Sequence, residues 1–232
     1  MISFFSRHRR VIFIGTVAIF LLGIFVGLGA YVFTGDSMDA VASVGGKKIP
    51  YQRFQQNVNR YMDSLKDSGT ELNDIMVRGV RQEVFREMII EELLSQQASE
   101  LGIRVTDFEV AMEIQNTPQF MQGRNFDPRV YYTYIVNELH MSPSEYEASR
   151  KQARLATKYK QFLYSNIKTA PEELKAYYLA KNKDLKNFEK EKDKYLEDIT
   201  REKFAQVANF LLKQLMVRKE IRDYLKEREQ GR

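Results

Sequence analysis

The chain contains no cysteine and no tryptophan, and only two histidines among 232 residues. Without cysteine there is no disulfide framework, no thiolate nucleophile and no cysteine-based zinc site. Glycine and proline number only 12 and 5, which excludes collagen-like and low-complexity chains. An excess of one charge is missing from most of the chain as well. Residues 36–232 hold 33 basic and 31 acidic side chains, interleaved, whereas residues 1–35 hold three arginines and no acid. The basic character therefore sits at one tip, and no basic stripe invites nucleic acid as a partner. Catalytic signatures are missing too: no GxSxG, HExxH, P-loop or GxGxxG occurs. His8 lies in the basic tip and His140 between two expected helices. The carboxylates fall on expected exposed faces, with no pair set apart in apolar surroundings. No catalytic residue, cofactor site or metal site is expected.

What is present begins with a membrane signal. From Val11 to Phe33 no charged residue occurs. As a helix this stretch is roughly 35 Å long, enough to cross a hydrocarbon core of about 30 Å. Arg7, Arg9 and Arg10 precede it and Asp36 and Asp39 follow, so the positive-inside rule places residues 1–10 in the cytoplasm and the bulk outside. The alternative is a cleaved signal peptide with a site at Leu28-Gly29-Ala30. Its apolar region would normally be shorter, about 7–15 residues, which favours an uncleaved signal anchor over residues 11–33. Gly23 and Gly27 have the GxxxG spacing of helix dimers, a spacing also frequent in membrane helices generally.

Residues 34–50 read as a linker and a small β-hairpin turning at Gly45-Gly46. Beyond Pro50 the periodicity is helical. Tyr51, Phe54, Val58, Tyr61, Met62 and Leu65 define one apolar face. A long helix from about Leu72 to Leu101 turns Ile75, Val80, Val84, Met88 and Leu94 inward and ends at Gly102. Thr106 with Glu109, and Ser142 with Glu145, are capping boxes; Val105 with Val110, and Met141 with Tyr146, are their staples. Asp127-Pro128 marks a further start, and Thr169 with Glu172 a fourth. From about Leu185 one charged helix is expected to run toward Glu229, with Phe188, Tyr195, Ile199, Val207, Leu211, Leu215 and Leu225 on its apolar side. The alternating Lys, Asp and Glu of residues 184–203 suit a solvated face. The expected fold is all-α with one transmembrane helix and a small hairpin. A helical domain spans 51–168, and C-terminal helices over 169–232 pack back on it.

Residues Val44 to Arg154 resemble the N-terminal domain of SurA-like and PpiD-like periplasmic chaperones. The resemblance rests on order: a Val-Gly-Gly…Ile hairpin, the helix RQEVFREMIIEELLSQQASELGIRVTD, then TPQFMQGRNFDPRVYY, then MSPSEYEASRKQ. The anchor before it is similar to that of the PpiD-like branch. Residues Thr169 to Asn182, and KDKYLEDITREKFAQVANFLLKQL, resemble the segments that flank a parvulin domain in the family. Here fewer than ten residues separate them, and no glycine occurs between Gly123 and Gly231, so a parvulin core is not expected. Three departures concern loops. A Gly-Gly pair replaces the family's asparagine-glycine turn, His140 stands where glycine is frequent, and Tyr131-Tyr132 implies a one-residue insertion.

The resemblance implies a chaperone anchored in a bacterial inner membrane, with its bulk in the periplasm; the missing parvulin core adds the expectation of no isomerase activity. Its partners would be unfolded or newly translocated envelope proteins and, at the membrane, the translocon. Client residues would be buried in a groove between the helices and the hairpin. Phe120, Met121 and Phe126, clustered around Gly123, with Met112 and Tyr132, are the candidate client-binding residues; the same residues also suit a small core of their own. Two alternatives come from other classes. One is a scaffold that docks a partner through the charged C-terminal helix, although the apolar spacing there is no sustained heptad. The other is a prolyl isomerase by family similarity, against which the missing parvulin core stands. Oligomeric state is not readable from the sequence.

Overall fold

The computed structural model describes residues 40–182 and 184–230. The expected anchor Val11–Phe33, the arginines Arg7, Arg9 and Arg10, His8 and the Gly23–Gly27 pair lie outside the described residues. Among the described residues no helix is long and apolar enough to cross a membrane.

The first element, β1 (Ala40–Val44), is buried along its whole length. Backbone amides and carbonyls withdrawn from water must find partners, and β1 is paired on both edges. On one side it meets β2 (Lys47–Pro50), with Val44 opposite Lys47. On the other it meets β5 (Ile221–Asp223), with Val44 opposite Ile221, completing an antiparallel sheet ordered β2-β1-β5. The Gly45-Gly46 turn has positive φ at both residues, +55° and +81°, as the tight primed hairpin turns require. Gly45 is constrained by space as well. Its N–H donates to the Glu220 carbonyl at 2.8 Å, and a Cβ there would stand 2.9 Å from Gln96 Oε1 and 3.2 Å from Lys219 Cδ. The C-terminal segment crosses directly over the turn, so a side chain at position 45 would meet it.

Helix α1 (Tyr51–Asp67) buries Phe54 and Val58, and α2 (Asp74–Glu100) buries Val80, Val84, Met88 and Leu94. Tyr61 and Ile75, expected inside, are exposed. For Ile75 the reason is that no residue of α2 before Val80 is buried; its first turns stand clear of the core. Gly102, at φ +77°, closes α2 in a Schellman arrangement: Ile103 N–H bonds Ala98 O at 2.9 Å and Gly102 N–H bonds Ser99 O at 3.0 Å. Helices α3 (Asp107–Gln115) and α5 (Pro143–Ser165) start at the two expected capping boxes, and Asp127 caps α4 (Pro128–Thr133). The fourth start is displaced by one residue. Pro171 takes the first position of α6 (Pro171–Lys181), so Ala170 is the N-cap, and the Thr169 hydroxyl is buried without a hydrogen-bond partner. It is Glu173, not Glu172, that accepts from the Ala170 backbone N–H.

The largest correction is at the C terminus. Helix α7 (Phe188–Arg218) stops well before Glu229. The chain then extends through β5 and ends in a short helix, α8 (Leu225–Gln230). Local propensity in Lys219–Asp223 does not announce a strand; the open edge of β1 imposes it. The apolar side of α7 is divided as well. Leu215 is buried and Leu211 half-buried against the main core, while Val207 and Phe210 face outward, because α2 and α5 cover only one stripe of the helix.

Three cores result. The main core joins the sheet to α1, α2, α5, Leu215 and Leu225. A second lies under α3 and α4, and Leu155 of α5 packs against both. A third, formed by Leu174, Tyr178, Phe188 and Ile199, closes the junction of α6 and α7. Charge clamps α3 onto α5: Glu113 accepts from Arg150 Nε at 2.6 Å and Arg154 NH1 at 2.9 Å, and Glu109 pairs with Lys158.

Two outcomes are expected. Deleting residues 219–232 removes β5 and the buried Leu225, and should lower unfolding free energy by roughly 3–5 kcal/mol in urea titrations. The Lys158 hydrogen bond, aided by the Thr106 N–H, holds the Glu109 carboxyl down at about 2 from its usual 4.5. Burial pushes Glu113 up, but the bonds from Arg154 and Arg150 outweigh it and leave that carboxyl low as well. A carboxyl depressed by folding stabilises fully above its unfolded value, and that contribution fades as pH falls toward the folded value. Thermal melts should therefore soften below about pH 4.5, and Glu109→Gln should flatten the decline between there and pH 2.

Candidate functional site

The site is built on the outer strand of the sheet. With β5 on one edge of β1, strand β2 is left on the other side of the sheet, facing α5. Between β2, the start of α1, the second half of α2 and the first half of α5 lies an open groove of about 760 Å³. That volume is typical of binding sites. Ile49, Ala148, Leu155 and Met141 contribute apolar surface; Lys47, Gln52, Arg53, Gln56, Gln96 and Gln152 bring polar groups to the same walls.

Its floor holds a buried charge. The Glu92 carboxylate on α2, only 1% exposed, meets the Lys47 ammonium at 3.0 Å and accepts from Gln96 and Gln152 side-chain amides at 2.8 Å each. A carboxylate withdrawn from water needs this set of donors, since each missing one leaves charge uncompensated. Gln152 is itself fixed: its amide oxygen accepts from Arg53 at 3.3 Å and Lys47 at 3.4 Å, while Arg53 also pairs with Glu91 at 2.7 Å. Gln96 further donates to Val44 O at 2.8 Å and so ties the groove floor to β1. The arrangement offers aliphatic surface ringed by oriented amides and an ammonium, which suits non-covalent binding of an extended chain.

Glu92 corrects the expectation that every carboxylate is exposed. A signal existed in the sequence: Phe85, Met88, Glu92 and Ser95 follow a 3-4-3 spacing, which places Glu92 on the core stripe of α2. Nothing comparable flags Gln96 or Gln152, whose importance arises only when α2 and α5 are brought together.

None of the five residues expected to bind clients lines the groove. Phe120 is 1% exposed, with the rings of Tyr131, Tyr134 and Tyr146 edge-on at 5.1, 5.6 and 5.9 Å. Such edge contacts add to burial, and Phe120 is therefore the centre of the second core and not an open surface. Met121 and Phe126 are half-buried and pair in the two-residue hairpin of β3 (Met121–Gln122) and β4 (Asn125–Phe126). Met112 and Tyr132 are exposed, on α3 and α4. Two backbone features mark the same lobe. A π turn runs over Tyr134–Glu138 and spans one residue more than an α turn. His140 has φ +49°, the left-handed conformation for which glycine is favoured.

Phe120→Ala should accordingly cost about 3–5 kcal/mol in chemical denaturation, as large-to-small core changes do. Tyr132→Ser, on the surface, should stay within about 0.5 kcal/mol. Equal effects would contradict the division into core and surface.

The comparisons with known proteins follow this geometry. A family model for the SurA-like N-terminal domain matches residues 1–160. The periplasmic chaperone PpiD of Escherichia coli K12 is 32% identical over 136 residues, covering 56% of this chain and 22% of the relative. The foldase protein PrsA of Caldanaerobacter subterraneus is 30% identical over 117 residues, covering 45% of this chain and 38% of the relative. PpiD of Haemophilus influenzae is 29% identical over 140 residues, covering 57% and 22%. The chain thus spans well under half the length of the curated relatives it matches. With the hairpin, the capped helices and the matched residues in agreement, the chain belongs to the SurA-like N-terminal domain family.

Proposed function

We infer that the protein is a membrane-anchored periplasmic chaperone that holds extended segments of unfolded or newly translocated envelope proteins, without isomerase activity. The observation that carries this is the open groove between β2 and α5, about 760 Å³ and walled by both aliphatic and hydrogen-bonding groups, in a domain whose relatives are named chaperones and a foldase. Apolar burial at about 25 cal/mol per Å², less the cost of ordering the client, gives weak and sequence-tolerant binding. Bound clients exchange readily, and no nucleotide is required.

The junction of α6 and α7 supports the non-enzymatic reading. Where family members carry a parvulin domain, Tyr178 packs edge-on against Phe188 at 5.2 Å and Tyr195 at 4.7 Å, over buried Leu174 and Ile199. A signal anchor over Val11–Phe33, with Arg7, Arg9 and Arg10 inside, would hold the groove near the outer mouth of the translocon, where segments emerge extended.

The test uses the full-length chain in detergent micelles and a urea-denatured outer-membrane porin. Ala148→Trp, which places an indole in the groove from an exposed position on α5, should weaken suppression of porin aggregation at least five-fold with little change in melting. Unimpaired suppression would contradict the groove as the binding site. Acceleration of a proline-limited refolding reaction by the wild-type protein would contradict the absence of isomerase activity.

A further inference from the structure

One wall of the groove is the tip of the second lobe, and two side chains of α1 hold it. Gln52 and Gln56 lie one helical turn apart on the same face of α1, and both line the groove. Gln52 Nε2 donates to the His140 carbonyl at 3.1 Å, and Gln56 Nε2 donates to the Leu139 carbonyl. These carbonyls belong to the end of a helical segment, where backbone oxygens lack intrahelical donors.

The segment they grip is unusual in three ways. It follows the π turn Tyr134–Glu138, whose widened geometry continues in the bond from Leu139 N–H to Tyr134 O at 3.1 Å. It reverses direction at His140, a non-glycine residue at φ +49°. It then delivers Met141, whose N–H reaches back to Ile135 O at 3.1 Å and whose side chain walls the groove. π turns and left-handed non-glycine residues are both energetically unfavourable conformations that persist where surrounding contacts hold them. The two glutamine amides are such contacts, and they come from a separate element, α1.

We propose that Gln52 and Gln56 form a latch: by holding the Leu139 and His140 carbonyls they fix the Met141 wall and thereby set the width of the groove and its grip on a client. They are positioning residues, acting through the 139–141 segment. Methionine matches glutamine in length but donates no hydrogen bond, so Gln52→Met with Gln56→Met releases the wall while keeping its bulk. Lysine restores a donor at each position. The inference rests on the groove being the client site, and the experiment separates the two claims.

Because the chain has no cysteine, spin labels placed at Glu138→Cys in the π turn and Glu87→Cys on α2, both exposed, report the position of the wall without interference. In the full-length protein, electron–electron dipolar spectroscopy should show a broadened or shifted distance distribution in the double methionine variant, restored in the double lysine variant. The affinity for a fluorescein-labelled, urea-denatured porin should fall at least three-fold in the methionine variant and recover with lysine. Circular dichroism melts establish that the variants are folded, and the single Gln52→Met variant serves if the double variant is not. An unchanged distance distribution overturns the latch alone. A broadened distribution with unchanged porin affinity overturns the link between the wall and client binding, and with it the groove reading.

Discussion

The structure depends on the pairing of one buried strand. Every residue of β1 is withdrawn from solvent, so its backbone groups require partners on both edges. One edge is satisfied locally by β2 through the glycine turn, and the other only by β5, contributed from the far end of the described chain. That single requirement draws the C-terminal segment across Gly45 and joins the two ends of the described chain beside a core that holds Leu215 and Leu225. The β1–β5 pairing is non-local, the kind of contact that slows folding.

The same sheet forms one wall of the groove. Helices α1 and α2 pack against the sheet, and α5 faces β2 across the opening. Its floor cannot be filled by an apolar side chain without losing the Glu92–Lys47–Gln96–Gln152 set that joins β2, α2 and α5. A buried charge paired in this manner adds little net stability and much orientation; here it orients the groove walls. The second lobe, built around Phe120, is tied to the first by Leu155, by the Glu113–Arg150–Arg154 cluster and by the α1 glutamines.

What was legible in the sequence is what short-range chemistry determines. The two capping boxes, the Asp127 cap, the Gly102 terminus and the core stripe from Val80 to Leu94 each need only residues within a few positions, and each is where it was expected. The hairpin turn belongs with them, down to the need for glycine. The misses share the opposite cause. Strand β5 exists because β1 has an edge to pair, Phe120 is internal because three tyrosines from two other segments converge on it, and Thr169 loses its cap to the proline two residues on. Val207 and Phe210 are periodic with buried neighbours yet uncovered, since periodicity gives a face and not the width of what lies against it. The groove lies among the helices and the hairpin, while the loop richest in apolar side chains, around Gly123, uses them in the second core.

The central claim, that unfolded segments lie between β2 and α5, is tested most directly by site-specific photo-crosslinking. In the cysteine-free chain, single cysteines carrying benzophenone are introduced at Ala148 or Lys151 in the groove, and at Phe108 or Tyr132 on the outward surfaces of α3 and α4. With urea-denatured porin diluted onto the full-length protein, the account predicts adducts from positions 148 and 151 and few from 108 and 132, although the latter are well exposed. Adducts confined to positions 108 and 132, or equal at all four, would contradict it.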